Sequence, residues 1–157
     1  MTEVLFVPAT EAHARELAPS MRAADVAENL ASDGFTPLEA CLVSLAISNE
    51  ARAAYFGGEL GALFGVAEGP FLGFKAIPWL LTTGVVERHQ RAFWRASRLV
   101  VASWLERYLV LEQAIDARYG MALRWAARLG FEVEPPAPWG VAGLPFCRIT
   151  LRRRDHV

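Results

Sequence analysis

The chain has 157 residues, 54% hydrophobic and 21% charged, with 9 Phe, 5 Trp and a formal net charge of -1. A chain of this length hides roughly 70% of its unfolded surface in one domain, and the composition excludes disorder throughout. The near-neutral charge gives no overall pull toward nucleic acid or an anionic membrane, and no stretch approaches the roughly 20 apolar residues that span a bilayer. Cys41 and Cys147 stand far apart and in no ligand-like spacing, so neither a disulfide framework nor a metal site is expected. The expectation is a single domain over 1–157, with no membrane and no specific nucleic acid among its partners.

Val4 to Val7 reads as a strand stopped at Pro8, after which Thr10 can cap a helix that breaks near Pro19. A second helix runs from about Met21 to Ala31 and ends at Asp33-Gly34; a third follows Pro37, with Leu38, Cys41, Leu42 and Leu45 at helical spacing. Ala53–Phe56 and Leu60–Val66 flank Gly57-Gly58 and read as a hairpin, because two consecutive glycines supply the positive φ angles of a tight primed turn. Phe74 to Thr83 is a further strand. From about His89 to Tyr108 runs the clearest helix, its apolar stripe being Phe93, Ser97, Val100, Val101, Trp104, Leu105 and Tyr108. Leu109 to Ile115 reads as a strand. Asp116 is placed to cap a short helix carrying Ala122, Trp125, Ala126 and Leu129, which Gly130 ends. Phe131–Glu134 and Phe146–Leu151 are the last strands, separated by a loop dense in Pro and Gly.

The stretch from Ala122 to Phe131, closing on Leu129-Gly130-Phe131, resembles the fourth helix of GNAT acyltransferases. Further segments sharpen the resemblance: Pro78 to Thr83, Glu87 to Phe93, Arg107-Tyr108, Ile115 to Arg118, and Gly143 to Phe146. Together they resemble the internal virion (core) protein family of short-tailed phages, whose fold is GNAT-like. The resemblance implies an α/β fold: a central mixed, mostly antiparallel sheet flanked by helices. It also implies a virion-associated or morphogenesis protein that contacts other phage virion proteins, located in the virion and, during assembly, in the host cytoplasm. The alternative is an acetyl-CoA-dependent N-acetyltransferase.

Two features set transfer in doubt, so the expectation is a protein without that activity and without a cofactor, acetyl-CoA entering only under the alternative. An enzyme of this fold cradles pyrophosphate on the backbone N–H groups of a Gly-rich loop. Here Gly84 is followed by Val85, Val86 and Glu87, leaving Gly84, Arg88, His89 and Arg91 as a degenerate version. The positions that in GNAT enzymes commonly hold an Asn and an acid Tyr are here Tyr119 and Ala126, and a methyl group cannot protonate a thiolate.

Arg88, Arg91, Arg95 and Arg98 share one face of the long helix, either an anion site or an ordinary solvated face. Asp25 and Glu28 lie three apart on a helix and read as either a carboxylate pair for acid–base work or a solvated acidic face, the latter the simpler reading. His89 at a helix start reads as a surface or capping residue, and His13 and His156 carry less information. In the Pro135–Pro145 loop, prolines stiffen the backbone around Trp139 and Leu144. That loop either displays them to a protein partner, the basic face around Arg91 and Arg95 being the next candidate contact, or folds back over the domain's own sheet.

Overall fold

The computed structural model describes residues 1–154. His156 and the end of the chain lie outside them. Among the described residues, eight strands form one sheet with helices on both faces, the α/β GNAT-like architecture expected from the sequence.

Strand β1 (Val4–Pro8) leads into α1 (Glu11–Leu17), a single turn of 3₁₀ helix over Ala18–Ser20, α2 (Ala23–Asp33) and α3 (Pro37–Ile47). Gly34 ends α2 in the left-handed region at φ 73°, where a side chain would be strained. Thr36 and Glu39 cap α3 reciprocally, the Thr36 hydroxyl accepting from the Glu39 N–H. Next come β2 (Glu50–Phe56) and β3 (Glu59–Glu68), joined at Gly57 and Gly58, both with positive φ as the hairpin reading requires. β4 (Lys75–Thr82) follows, then a short turn of helix the sequence did not reveal, α4 (Val85–Arg88), and the long α5 (Gln90–Arg107).

The rest of the chain is β5 (Val110–Asp116), α6 (Gly120–Leu129), β6 (Glu132–Val133), β7 (Ala137–Trp139) and β8 (Leu144–Arg152). Two expectations are corrected here. The Pro-rich loop contains an edge strand, β7, paired on β8. Asp116 does not cap α6; its carboxylate folds back onto Arg118, taking both the backbone N–H at 2.9 Å and the guanidinium at 2.6 Å.

The sheet order is β1-β2-β3-β4-β5-β8-β6, antiparallel except between β4 and β5. One apolar cluster lies between the sheet and α5 and α6, with Phe56, Phe64, Leu111 and Ile149 facing Val101, Trp104 and Ala126. A second lies on the other face, where Ala53, Leu63 and Leu81 meet Ala14, Leu17, Ala40 and Cys41. Trp104 is 4% exposed, and its indole N–H donates to Glu50 at 3.1 Å, so its polar end is satisfied where its rings are buried. No single helix among the described residues is long and apolar enough to cross a membrane.

Candidate functional site

The site begins where the sheet comes apart. β4 runs antiparallel to β3 from Ala76 to Thr82, but pairs with β5 only at Lys75↔Val110 and Ala76↔Leu111. Beyond that the two strands diverge. Pro78 contributes a local cause: its carbonyl faces β5, and it has no N–H to offer a ladder. The Gln113 side chain takes that carbonyl instead, at 2.9 Å, and so bridges the base of the notch.

At the open end α2 replaces the missing pairing. The Arg22 backbone N–H donates to the Thr82 carbonyl at 2.9 Å, and Thr82 donates from both its N–H (2.8 Å) and its hydroxyl (2.5 Å) to the Asp25 carboxylate. One helical turn later, the Glu28 carboxylate accepts the Asp116 N–H of β5 at 2.9 Å. Two carboxylates at i and i+3 therefore clip the ends of two separated strands. The solvated acidic face is not what forms, since Asp25 is only 4% exposed.

Arg22 completes the network, donating to the Thr82 hydroxyl at 2.6 Å and to the Tyr119 hydroxyl at 2.7 Å, and pairing with Glu87 at 3.3 Å. Burial pushes the Asp25 carboxyl above its ordinary range, against the opposing pull of its Thr82 bonds and the Arg22 charge. Burial pushes Glu28 up to about 7, with the charges of Asp25 and Asp116 adding to the rise. Among the described residues only one Glu28 oxygen has a hydrogen-bond donor. Tyr119 is raised by burial and by the Asp25 charge beside it, and stays a neutral phenol at physiological pH.

A cavity of about 880 Å³ passes through this notch, for residues of both sheet faces line it. On the α5–α6 face its walls include Leu80, Phe93, Val100, Trp104 and Trp125, together with the charged or polar Glu87, Gln90, Arg124 and Arg128. On the α2–α3 face they include Ser44, Ile47, Ile77, Trp79 and Trp139. The Trp125 indole N–H is buried with no partner among the described residues. A donor left so in an apolar wall costs roughly 1–3 kcal/mol unless something accepts from it.

The residues singled out from the sequence sit as follows. Gly84, Arg88, His89 and Arg91 do not line the cavity. Arg88 pairs with Glu59 at 2.8 Å, His89 stacks on Phe56 and bonds Thr2, and Arg91 is exposed on α5, as is Arg95 beside Met1. The loop's amides serve its own turns: Val85 N–H to the Thr83 hydroxyl, Val86 to the Thr83 carbonyl, Glu87 to Gly84, His89 to Val86. Trp139 lines the cavity mouth and is 44% exposed, while Leu144 is part-buried on β8, outside it. The loop is anchored to α2, Val141 and Ala142 donating to the Ser32 and Ala31 carbonyls at 3.0 and 3.2 Å. Gly140 makes that approach possible: at φ 74°, a Cβ there would lie 2.6 Å from the Ser32 carbonyl oxygen.

Sequence reasoning missed Arg22, Thr82, Gln113, Arg124, Arg128 and the unpaired Trp125 N–H. Two signals were available: Pro78 inside an otherwise apolar strand, and Arg124 and Arg128 four apart on α6.

No family model matches the chain, and no curated protein sequence matches it. Solved structures do. An aminoglycoside acetyltransferase, AAC(6')-Ib, in complex with coenzyme A superposes with a TM-score of 0.69 at 16% identity, over 96% of this chain and 95% of that one. RimL, a ribosomal L7/L12 alpha-N-protein acetyltransferase in complex with coenzyme A, gives 0.69 at 10% identity over 95% and 93%. YncA of Salmonella typhimurium, described as a candidate acetyltransferase and solved with acetyl-CoA, gives 0.64 at 11% identity over 98% and 96%. At these identities the likeness establishes the GNAT-like fold across nearly the whole chain. The expectation of a phage virion protein without transferase activity is corrected by these matches, which are described as acetyltransferases and none as a virion protein. The expected virion partners and virion location followed from that reading alone.

Proposed function

We propose that this chain is an acetyl-CoA-dependent N-acetyltransferase of the GNAT type. The observation that carries the reading is the through-sheet notch, which sets a carboxylate titrating near neutrality against an unpaired donor in one cavity. The acetyltransferase neighbours, three of them solved with coenzyme A or acetyl-CoA, support it.

The residues fit an acyl-CoA in a modified way. Phe93 and Trp125 wall the α5–α6 side for its thioester arm, and the buried Trp125 N–H has no partner among the described residues. Four of the loop amides, those of Val85, Val86, Glu87 and His89, are taken by its own turns and Glu87 adds a negative charge, so Arg124 and Arg128, which line the cavity, would meet the phosphates instead. When bound, acetyl-CoA supplies the thioester whose C–S bond breaks as a C–N bond forms, the sulfur leaving with a proton from the nitrogen. Glu28 first removes a proton from the acceptor ammonium, a task its pKa of about 7 suits. Asp25 is held by Thr82 and serves to place α2. Arg22, fixed between Thr82 and Tyr119, is a cation beside the notch.

Calorimetric titration of the purified chain with acetyl-CoA, and mass spectrometry of a mixed amine pool incubated with both, test this. Saturable binding and N-acetylated product are expected. Absence of binding up to millimolar acetyl-CoA overturns the reading.

A further inference from the structure

With the α5–α6 mouth assigned to acyl-CoA, the α2–α3 mouth is left for the acceptor, and its walls differ sharply in character. Large apolar side chains stand exposed at its lip: Ile47 at 62%, Ile77 at 41%, Trp139 at 44% and Val43 at 37%. Trp79 and the Asp25 and Glu28 carboxylates line the same cavity and are more buried than these four. The one basic residue lining this half among the described residues, Arg22, is already held by Thr82, Tyr119 and Glu87. Asp33 adds a further negative charge at the lip.

The arrangement is polarised in depth, apolar and aromatic outside and anionic inside. A polyamine or a sugar amine would set hydroxyls or further ammonium groups against Ile47, Ile77 and Trp139, desolvating more polar groups than the few polar side chains of this half, Asn29, Ser32, Asp33 and Ser44, can satisfy. An amine with a single charge and an apolar body matches both layers. The indole faces of Trp79 and Trp139 suit a flat ring in particular.

We infer that the acceptor is a primary amine carried on an aromatic or branched aliphatic body, entering through the α2–α3 mouth with its ammonium directed to Glu28. The transfer step rests on the acetyltransferase reading, but occupancy of the mouth does not, so the two are measured separately. The chain alone is titrated with 2-phenylethylamine, followed by tryptophan fluorescence and calorimetry. Spermidine is the polar-amine control, and phenylacetate is the control with a similar body and opposite charge. The same amines are then incubated with acetyl-CoA and analysed by mass spectrometry.

The expected result is binding of 2-phenylethylamine at least tenfold tighter than either control. Ile47→Gln, at an exposed position, should weaken it three- to tenfold without changing the melting temperature. Spermidine or phenylacetate binding as well as 2-phenylethylamine, or no response to Ile47→Gln and Trp139→Ala combined, overturns the inference. Binding without product upholds this acceptor site and counts against the transfer reading. Product from spermidine with no preference for the arylalkyl amine upholds transfer and overturns the acceptor class.

Discussion

The loop at Thr83–His89 and the notch between β4 and β5 adjoin at the end of β4, and they treat their polar groups in opposite ways. The loop closes on itself, each of four amides taken by a neighbouring oxygen, with Arg88 drawn off to Glu59. The notch leaves groups without partners: one Glu28 oxygen and the buried Trp125 N–H have none among the described residues, and both residues line the cavity. Under the proposed function, the difference teaches that a closed loop at Thr83–His89 need not remove a site. Affinity would then rest with side chains on the rim while the notch keeps its polarity.

The sharpest way to break the comparison is Glu28→Gln. As general base it should contribute about 10²- to 10⁴-fold in kcat/KM, and the rise of kcat/KM with an apparent pKa near 7 should vanish with it. The same variant has a stability signature. Glu28 binds its proton more tightly when folded than when unfolded, so its contribution is fully present below the unfolded value near 4.5 and is lost as pH rises through about 7. That loss is on the order of 2–3 kcal/mol. The parent should therefore melt lower at pH 8 than at pH 5 by more than Glu28→Gln does. Equal slopes in differential scanning calorimetry would remove Glu28 from the notch.

Next in size is Asp25→Ala, which strips the Thr82 N–H and hydroxyl of their acceptor at a position fully buried from solvent. A loss of about 3 kcal/mol in urea denaturation is expected. A change below about 0.5 kcal/mol, the range of an exposed site, would restore the solvated-face reading of α2.

The smallest effects separate loop from notch directly. Trp125→Phe keeps the stack on Phe93 and loses one donor, so acetyl-CoA should bind up to about tenfold more weakly. Gly84→Ala should change that affinity less than about twofold, because Gly84 has ordinary helical φ and a Cβ there meets nothing within 4 Å. Calorimetry reversing that order would place the phosphates back on the loop.

Much of the fold was legible because its signals are local. Gly57-Gly58, Gly34 and Gly130 each stand where a left-handed residue is required, and the Phe93 to Tyr108 stripe can only face a sheet. The site was not legible, because it depends on neighbours that no local pattern reveals. Asp25 and Glu28 have the spacing of a solvated pair; only the crossing of α2 over two diverging strands makes them buried ties. Asp116 has the position of a cap, and Arg118, two residues on, captures it. Trp139 could be read as displayed or as folded back, and β7 together with the α2 anchor decides it.

Gly140 carries a consequence for how such a protein diversifies. The backbone contact it permits with Ser32 is the fixed point from which the Pro-rich segment hangs over the α2–α3 mouth, and that segment is joined to the sheet only along the outer edge of β8. Its length and side chains can therefore drift without disturbing the carboxylates beneath. Substitutions in this segment should therefore alter the opening of the cavity without altering the carboxylate ties, a separation between lip and interior that the fold builds in. Gly140 itself is not free in the same way, since any side chain there lifts the segment from its post on α2.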